Sequence, residues 1–226
     1  MTASILVFPG SNCDIDIFNS ISSISGEKPN LVWYSEKIPK NTDLVVIPGG
    51  FSFGDYLRSG SIAATSKIIS HVKSLAIKGI PILGICNGFQ ILTEAKLLPG
   101  TLILNNNLKF ICKEIYLKIS NNKSLFTKEL PNKIINMPIA HKMGNYRVSQ
   151  NKLSELIDKN QIAFRYSSSK GACDSKSNPN GSVYNIAGVL SENNKILGMM
   201  PHPERFTNII DKDVIMKTIL KLILKC

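Results

Sequence analysis

The stretch Pro81-Ile82-Leu83-Gly84-Ile85-Cys86-Asn87-Gly88-Phe89-Gln90-Ile91-Leu92 leaves few folds open. Its Ile/Leu run reads as a buried strand that stops at a glycine-flanked cysteine. Phe89, Ile91, Leu92 and Ala95 then follow as the apolar positions of a helix. Gly84-x-Cys86-x-Gly88 has the form of a nucleophile elbow with Cys in place of Ser. The glycines have a steric reason. A nucleophile on so tight a turn sits on strained backbone, and side chains two residues either side would meet the neighbouring strand or helix. The turn also sets Cys86 at a helix N-terminus, where unpaired N–H groups and the helix dipole favour a thiolate. A merely buried cysteine beside a glycine turn is the plainer alternative.

The rest of the chain alternates in the same way. Ser4–Phe8 reads as a first buried strand, ended by Pro9-Gly10. Asn12 or Asp14 then caps a helix with Ile17, Phe18, Ile21 and Ile24 on its apolar face, closed by Gly26. Leu31–Tyr34 and Leu44–Ile47 are further strands, and 61–78 is one helix burying Ile62, Ile68, Ile69, Val72 and Leu75. His71 within it reads as a surface histidine. Strands alternating with helices predict βαβ units and a parallel sheet. From about 108 to 140 the period changes to that of half-exposed, antiparallel strands, over 111–119 and 134–139, and 161–166 and 183–190 add further strands. Ile196–Met200 is a last strand, and a final helix is expected from Asp211, with lysines 217, 221 and 225 on its outer face. The expected class is therefore a flavodoxin-like three-layer α/β fold. Its central sheet is mostly parallel, with antiparallel strands added. Without a repeat or a composition shift, one domain over residues 1–226 is expected.

Two classes of function are set aside on composition. The net charge of +11 is spread over scattered lysines, with no interleaving of basic and aromatic residues, so it is no nucleic-acid patch. No stretch is long and apolar enough for a membrane span, and Met1-Thr2-Ala3-Ser4 lacks the basic start of a signal peptide. Five cysteines without a CxxC pair suit a reducing cytoplasm, and neither a disulfide framework nor a zinc site.

Cys86 needs a base, and the base needs a third group to orient it. Pro201-His202-Pro203-Glu204 follows the last strand and supplies both. His202-Pro203-Glu204 also has metal-ligand composition, but no second cluster with ligand spacing accompanies it, so no metal is expected. His141 is the other histidine in a loop able to reach the site. The attacked carbonyl needs two N–H donors for its oxyanion, one from Asn87 after the nucleophile and one from a neighbouring loop. Pro48-Gly49-Gly50, just past the third strand, provides Gly50 for the second.

The ordered set Pro48-Gly49-Gly50, Gly84-Ile85-Cys86-Asn87-Gly88-Phe89-Gln90 and Pro201-His202-Pro203-Glu204 resembles the triad-type (class I) glutamine amidotransferases. Further pieces resemble the branch of that family serving de novo purine synthesis: Pro9–Asp14, Gly49–Arg58, Asn178–Ser182 and Gly198–Arg205. The resemblance implies that Cys86, His202 and Glu204 hydrolyse glutamine through a thioester, with Gly50 and Asn87 as oxyanion hole. It implies that Gln90, with Gly49 and Phe51, holds the substrate. It also implies that ammonia passes to a separate synthetase subunit, which carries ATP and magnesium, with a small accessory subunit beside it. This chain itself is expected to hold no cofactor. One departure stands out: the family usually has Gly-Glu-Gly where Lys142-Met143-Gly144 follows Ala140-His141 here. Glutamine hydrolysis for another acceptor, or a non-enzymatic flavodoxin-like module with a redox-sensing Cys86, are the alternatives.

Overall fold

The computed structural model describes residues 2–128, 130 and 133–205. The helix expected from Asp211 lies outside the described residues.

Among the described residues, nine strands form one sheet in the order β2-β1-β3-β4-β11-β10-β9-β6-β7. Its first half is parallel: β2 (Asn30–Trp33), β1 (Thr2–Val7), β3 (Thr42–Ile47), β4 (Ile82–Ile85) and β11 (Ile196–Met199). These strands are apolar runs, as expected where helices cover both faces of a parallel sheet. β3 and β4 carry Leu44, Val45, Val46, Ile47, Ile82, Leu83 and Ile85 into the core. The second half is antiparallel: β10 (Ile186–Leu190), β9 (Ile162–Ser167), β6 (Ile111–Ile119) and β7 (Ile134–His141). β6 buries Ile115 and Leu117 between exposed neighbours, the period of two read from the sequence. The fold is of the flavodoxin-like three-layer class, with the parallel order 2-1-3-4 extended by β11.

Three local expectations need correction. The helix expected over 61–78 is two helices, α2 (Ser61–Ala64) and α3 (Lys67–Ile77). Thr65 and Ser66 break it: their hydroxyls donate back to the carbonyls of Ile62 and Ala63, at 2.8 and 2.6 Å, and Ser66 is extended. The cap of α1 (Asp14–Ser25) is Cys13, not Asn12 or Asp14, and no side chain caps it. The strand expected over 183–190 begins at Ile186, because Tyr184 and Asn185 adopt positive φ in a short turn. Beyond these, β5 (Thr101–Ile103) and β8 (Asn145–Arg147) pair as a small second sheet, and α5 (Gln150–Asp158) follows; the sequence reading had assigned none of the three.

Every parallel strand points its carboxyl end to the same edge, and β1 and β3 flank the point where strand order reverses, the place where ligands of open α/β sheets bind. The elbow is held there by close packing. A Cβ on Gly84 would lie 2.8 Å from the Gly88 carbonyl, and one on Gly88 would overlap the carbonyl oxygen of Ile47 at the end of β3. Backbone against backbone cannot yield by changing rotamer. Gly88→Ala is therefore expected to destabilise the protein by about 3 kcal/mol, read as a lowered urea midpoint; an unchanged midpoint would show that β3 and α4 (Asn87–Glu94) are free to separate.

Candidate active site

Cys86 sits between β4 and α4 with φ 50° and ψ −103°, a conformation that L residues rarely adopt. The strain is held by two backbone bonds, Cys86 N to Met199 O at 2.7 Å and Gln90 N to Cys86 O at 3.1 Å. Cys86 is 5% exposed, and its Sγ faces the carbonyl of Ala140 at 3.6 Å. The sequence reading thus places the elbow where the structure has it.

His202 follows β11, the neighbour of β4, so the two strand ends bring it beside Cys86. Its Nδ1 hydrogen-bonds Glu204 Oε1 at 2.7 Å, with the two side chains 2% and 0% exposed. Pro138 O accepts from His202 N at 2.9 Å and fixes the turn from the other side. Burial lowers the basicity of His202, but the charges of Glu204 and Cys86 and hydrogen bonds with Cys13 and Cys86 outweigh it; the net pKa is well above the ordinary 6.5.

The loop after β3 lies over the elbow. Phe51 N donates to Gly10 O at 2.9 Å and Phe53 N to Pro9 O at 2.6 Å, so the loop is tied to the one after β1. Gly50 has φ 139°, and a Cβ there would press on the backbone of residues 10–12, so only glycine fits. Asn87 stitches this loop to α4 through its side chain: Oδ1 accepts from Ser52 N at 3.2 Å, and Nδ2 donates to Gln90 Oε1 at 2.8 Å. Gly49 lies against Cys13 and His202, while Phe51 is largely exposed. Gln90 is buried with both ends of its carboxamide engaged, since Nε2 also donates to Met143 O at 2.6 Å.

That bond belongs to a second wall, the turn 140–144. Asn105, just past β5, holds it: Nδ2 donates to His141 O at 2.9 Å, and Oδ1 accepts from Gly144 N at 3.1 Å. Because Oδ1 is an acceptor, its 3.1 Å contact with His141 Nδ1 fixes that nitrogen as the protonated one. Asn180 Nδ2 and Ser182 Oγ donate to Gly144 O at 2.8 and 3.2 Å, which gives the Asn178–Ser182 motif its place. Lys142 and Met143 engage the turn through main-chain carbonyls, to Asn105 N at 2.9 Å and to Gln90. The departure from Gly-Glu-Gly therefore leaves these backbone bonds intact.

Sequence reasoning missed Cys13, Asn105 and Arg205. Arg205 Nε donates to Asp16 Oδ2 at 2.7 Å and Nη2 to Asn12 O at 3.3 Å, which pins the start of α1 to the His202 turn. The motifs at 9–14 and 198–205 were the available signal, but nothing in either indicates that they touch.

A cysteine on an elbow, a buried histidine and a carboxylate behind it are groups of the kinds that acyl transfer uses as nucleophile, base and orienting group. Residues 1–221 match the CobB/CobQ-like glutamine amidotransferase domain. A chain of the PurLQS structure from Thermotoga maritima is 38% identical, with a TM-score of 0.82, over 99% of this chain and 97% of that one. Two further structures share the fold at low identity. One is a glutamine amidotransferase from Thermotoga maritima, at 16% identity and a TM-score of 0.62, covering 99% of this chain and 98% of that one. The other is the glutaminase domain of Trypanosoma brucei CTPS with bound acivicin, at 12% and 0.61, covering 100% and 94%. This chain belongs to the CobB/CobQ-like glutamine amidotransferase family. It is an enzyme of the glutaminase type.

His141 provides a test of the site's electrostatics. Burial, then the charge of His202, push its pKa from 6.5 down to about 4. The folded protein thus keeps it neutral where the unfolded chain would bind a proton. Its contribution to stability is complete above pH 6.5 and lost as pH falls toward 4, a change of about 3 kcal/mol. His202 works in the opposite sense: its contribution is complete below 6.5 and lost as pH rises through its folded value. His141→Asn is expected to flatten the acid limb of Tm against pH between 6.5 and 4; an unchanged limb would refute a buried neutral His141.

Proposed function

We propose that this chain is the glutaminase subunit of phosphoribosylformylglycinamidine synthase, hydrolysing glutamine and passing ammonia to an ATP-dependent synthetase subunit in purine biosynthesis. The buried His202–Glu204 pair beside a strained Cys86 carries the chemistry of this reading. The 38% identity over nearly the full length of a PurLQS chain carries its place in the synthase.

In the proposed reaction the Cys86 thiolate attacks the side-chain carbonyl of glutamine, with His202 holding the proton. The negative charge moves to the carbonyl oxygen, which the N–H groups of Gly50 and Asn87 stabilise. His202 then gives its proton to the departing nitrogen, and ammonia leaves a thioester on Cys86. Water attacks the thioester, losing its proton to His202, and glutamate departs as the thiolate returns. Glu204 holds the imidazole with its second nitrogen toward the sulfur throughout. Gly49 and Phe51 lie on the loop at the mouth of the site, and Gln90 acts on the substrate through the 140–144 turn that it holds in place.

The synthetase partner converts formylglycinamide ribonucleotide to the amidine, and ATP and magnesium belong there, with a small accessory subunit completing the complex. Transfer within a complex keeps ammonia from being protonated in water before it reacts. Cytoplasmic placement agrees with this role and with the free thiols of Cys13, Cys86, Cys112 and Cys173; among the described residues no helix is long and apolar enough to cross a membrane.

Cys86→Ser is expected to lose glutamine hydrolysis by at least about three orders of magnitude with an unchanged unfolding midpoint; retained turnover would remove Cys86 as nucleophile. Glutamate release by the purified chain is expected to be low alone and to rise with the synthetase, the accessory subunit, ATP and formylglycinamide ribonucleotide. Release that is high alone and indifferent to these partners would keep the triad and reassign the acceptor.

A further inference from the structure

Cys13 is remote from the triad in sequence and adjacent to it in space. Its Sγ, a ring nitrogen of His202 and a carboxylate oxygen of Glu204 lie within 4.8 Å of one another, and all three residues are buried. Gly49 makes the room, since a Cβ there would lie 2.8 Å from both Cys13 Sγ and His202 Cε1. The Arg205 links to Asp16 and Asn12 keep the two segments together. One carboxylate oxygen of the cluster, Glu204 Oε2, has no hydrogen-bond partner among the described residues, although its side chain is wholly buried. A buried acceptor without a partner is costly, and a cation relieves that cost.

Thiolate, imidazole and carboxylate are the donors zinc prefers, and its bonds of about 2.0–2.3 Å set tetrahedral donors roughly 3.3–3.8 Å apart. We propose that Cys13 Sγ, His202 Nδ1 and the Glu204 carboxylate form an inhibitory site for a thiophilic divalent cation of the zinc class. The fourth position takes water. The shut-off rests on the glutaminase reading, whereas the ligand set does not. On binding, three metal–donor bonds form, and nothing is oxidised or reduced. The Cys13 thiol proton passes to solvent, as does the imidazolium proton that Nδ1 shares with Glu204. The proton on Nε2 stays. With Nδ1 bound to metal and Nε2 carrying a proton, the ring has no lone pair with which to take a proton from Cys86 or from water, and hydrolysis stops. The sequence reading set a metal aside because His202 and Glu204 had no companion at ligand spacing; the fold brings the companion from the other end of the chain.

Cobalt(II) reads the ligand set without reference to activity. The full chain carrying Cys112→Ser, Cys173→Ser and Cys226→Ser, stripped with chelator, is expected to develop a thiolate-to-cobalt charge-transfer band at one ion per chain. Adding Cys86→Ser should keep that band, and adding Cys13→Ser should abolish it. A band that survives Cys13→Ser, or vanishes with Cys86→Ser, would overturn the assignment. Should the Cys13 variant not fold, zinc X-ray absorption on the parent answers instead: one sulfur in the coordination shell is expected, and none or two would refute it. Zinc should also inhibit glutamate release, with Cys13→Ser requiring at least a tenfold higher concentration for half-inhibition. A band without inhibition would keep the site and overturn the shut-off, and a chain that never hydrolyses glutamine would still report its ligands through cobalt.

Discussion

The approach of α4 to the end of β3 governs the site. Where Gly88 meets the Ile47 carbonyl, two main chains lie closer than any side chain would permit. This contact holds the elbow against the sheet, and so fixes where the Cys86 sulfur stands relative to the loops from its neighbours. Gly84, Gly49 and Gly50 extend the same condition around Cys86: each removes a Cβ that would otherwise press on α4, on Cys13 and His202, or on the loop after β1. Cys86 itself remains in an unfavourable conformation because its own N–H and carbonyl are bonded on either side, to β11 and to α4.

On this frame, two buried histidines are driven in opposite directions. His202 has a carboxylate and a thiol as neighbours and keeps its proton. His141, equally buried, has an amide oxygen at Nδ1 and the charge of His202 nearby, and stays neutral. The division suits the proposed reaction, which needs one charged ring beside the sulfur and a neutral one behind it. Asn105 secures the neutral partner and the turn that bears it, so the wall facing Cys86 is set by amide geometry around an uncharged His141.

Much of this could be read from the sequence because the parallel strands are buried on both faces. Runs such as Leu44–Ile47 and Ile82–Ile85 have no other stable use, and the period-two pattern of Ile111–Ile119 announces its half-exposed role. The elbow was legible for a related reason: its glycines answer a steric demand that few other turns make. What stayed hidden was decided by contacts distant in sequence. β5 and β8 are three residues each and gain their pairing from each other, with no strong pattern of their own. The break at Thr65-Ser66 turns on hydroxyls that suit either a helix or its end. Cys13 reads as one apolar residue after a turn, and its place beside His202 exists only once Arg205 has reached Asp16.

The order of the pieces along the chain has a further consequence. During synthesis the cysteine at residue 86 emerges long before the histidine at residue 202, and the turn bearing the latter is anchored through Arg205 to a helix that begins at residue 14. A partly made chain thus carries a thiol on a strand end with no β11 beside it, no proton carrier and no bond from Met199 to hold the turn. The two segments meet only when β11 takes its place between β4 and β10. On the proposed reading, chemical competence is in this way a certificate of β11's arrival, and a fragment ending before β11 lacks the ring that would carry the proton.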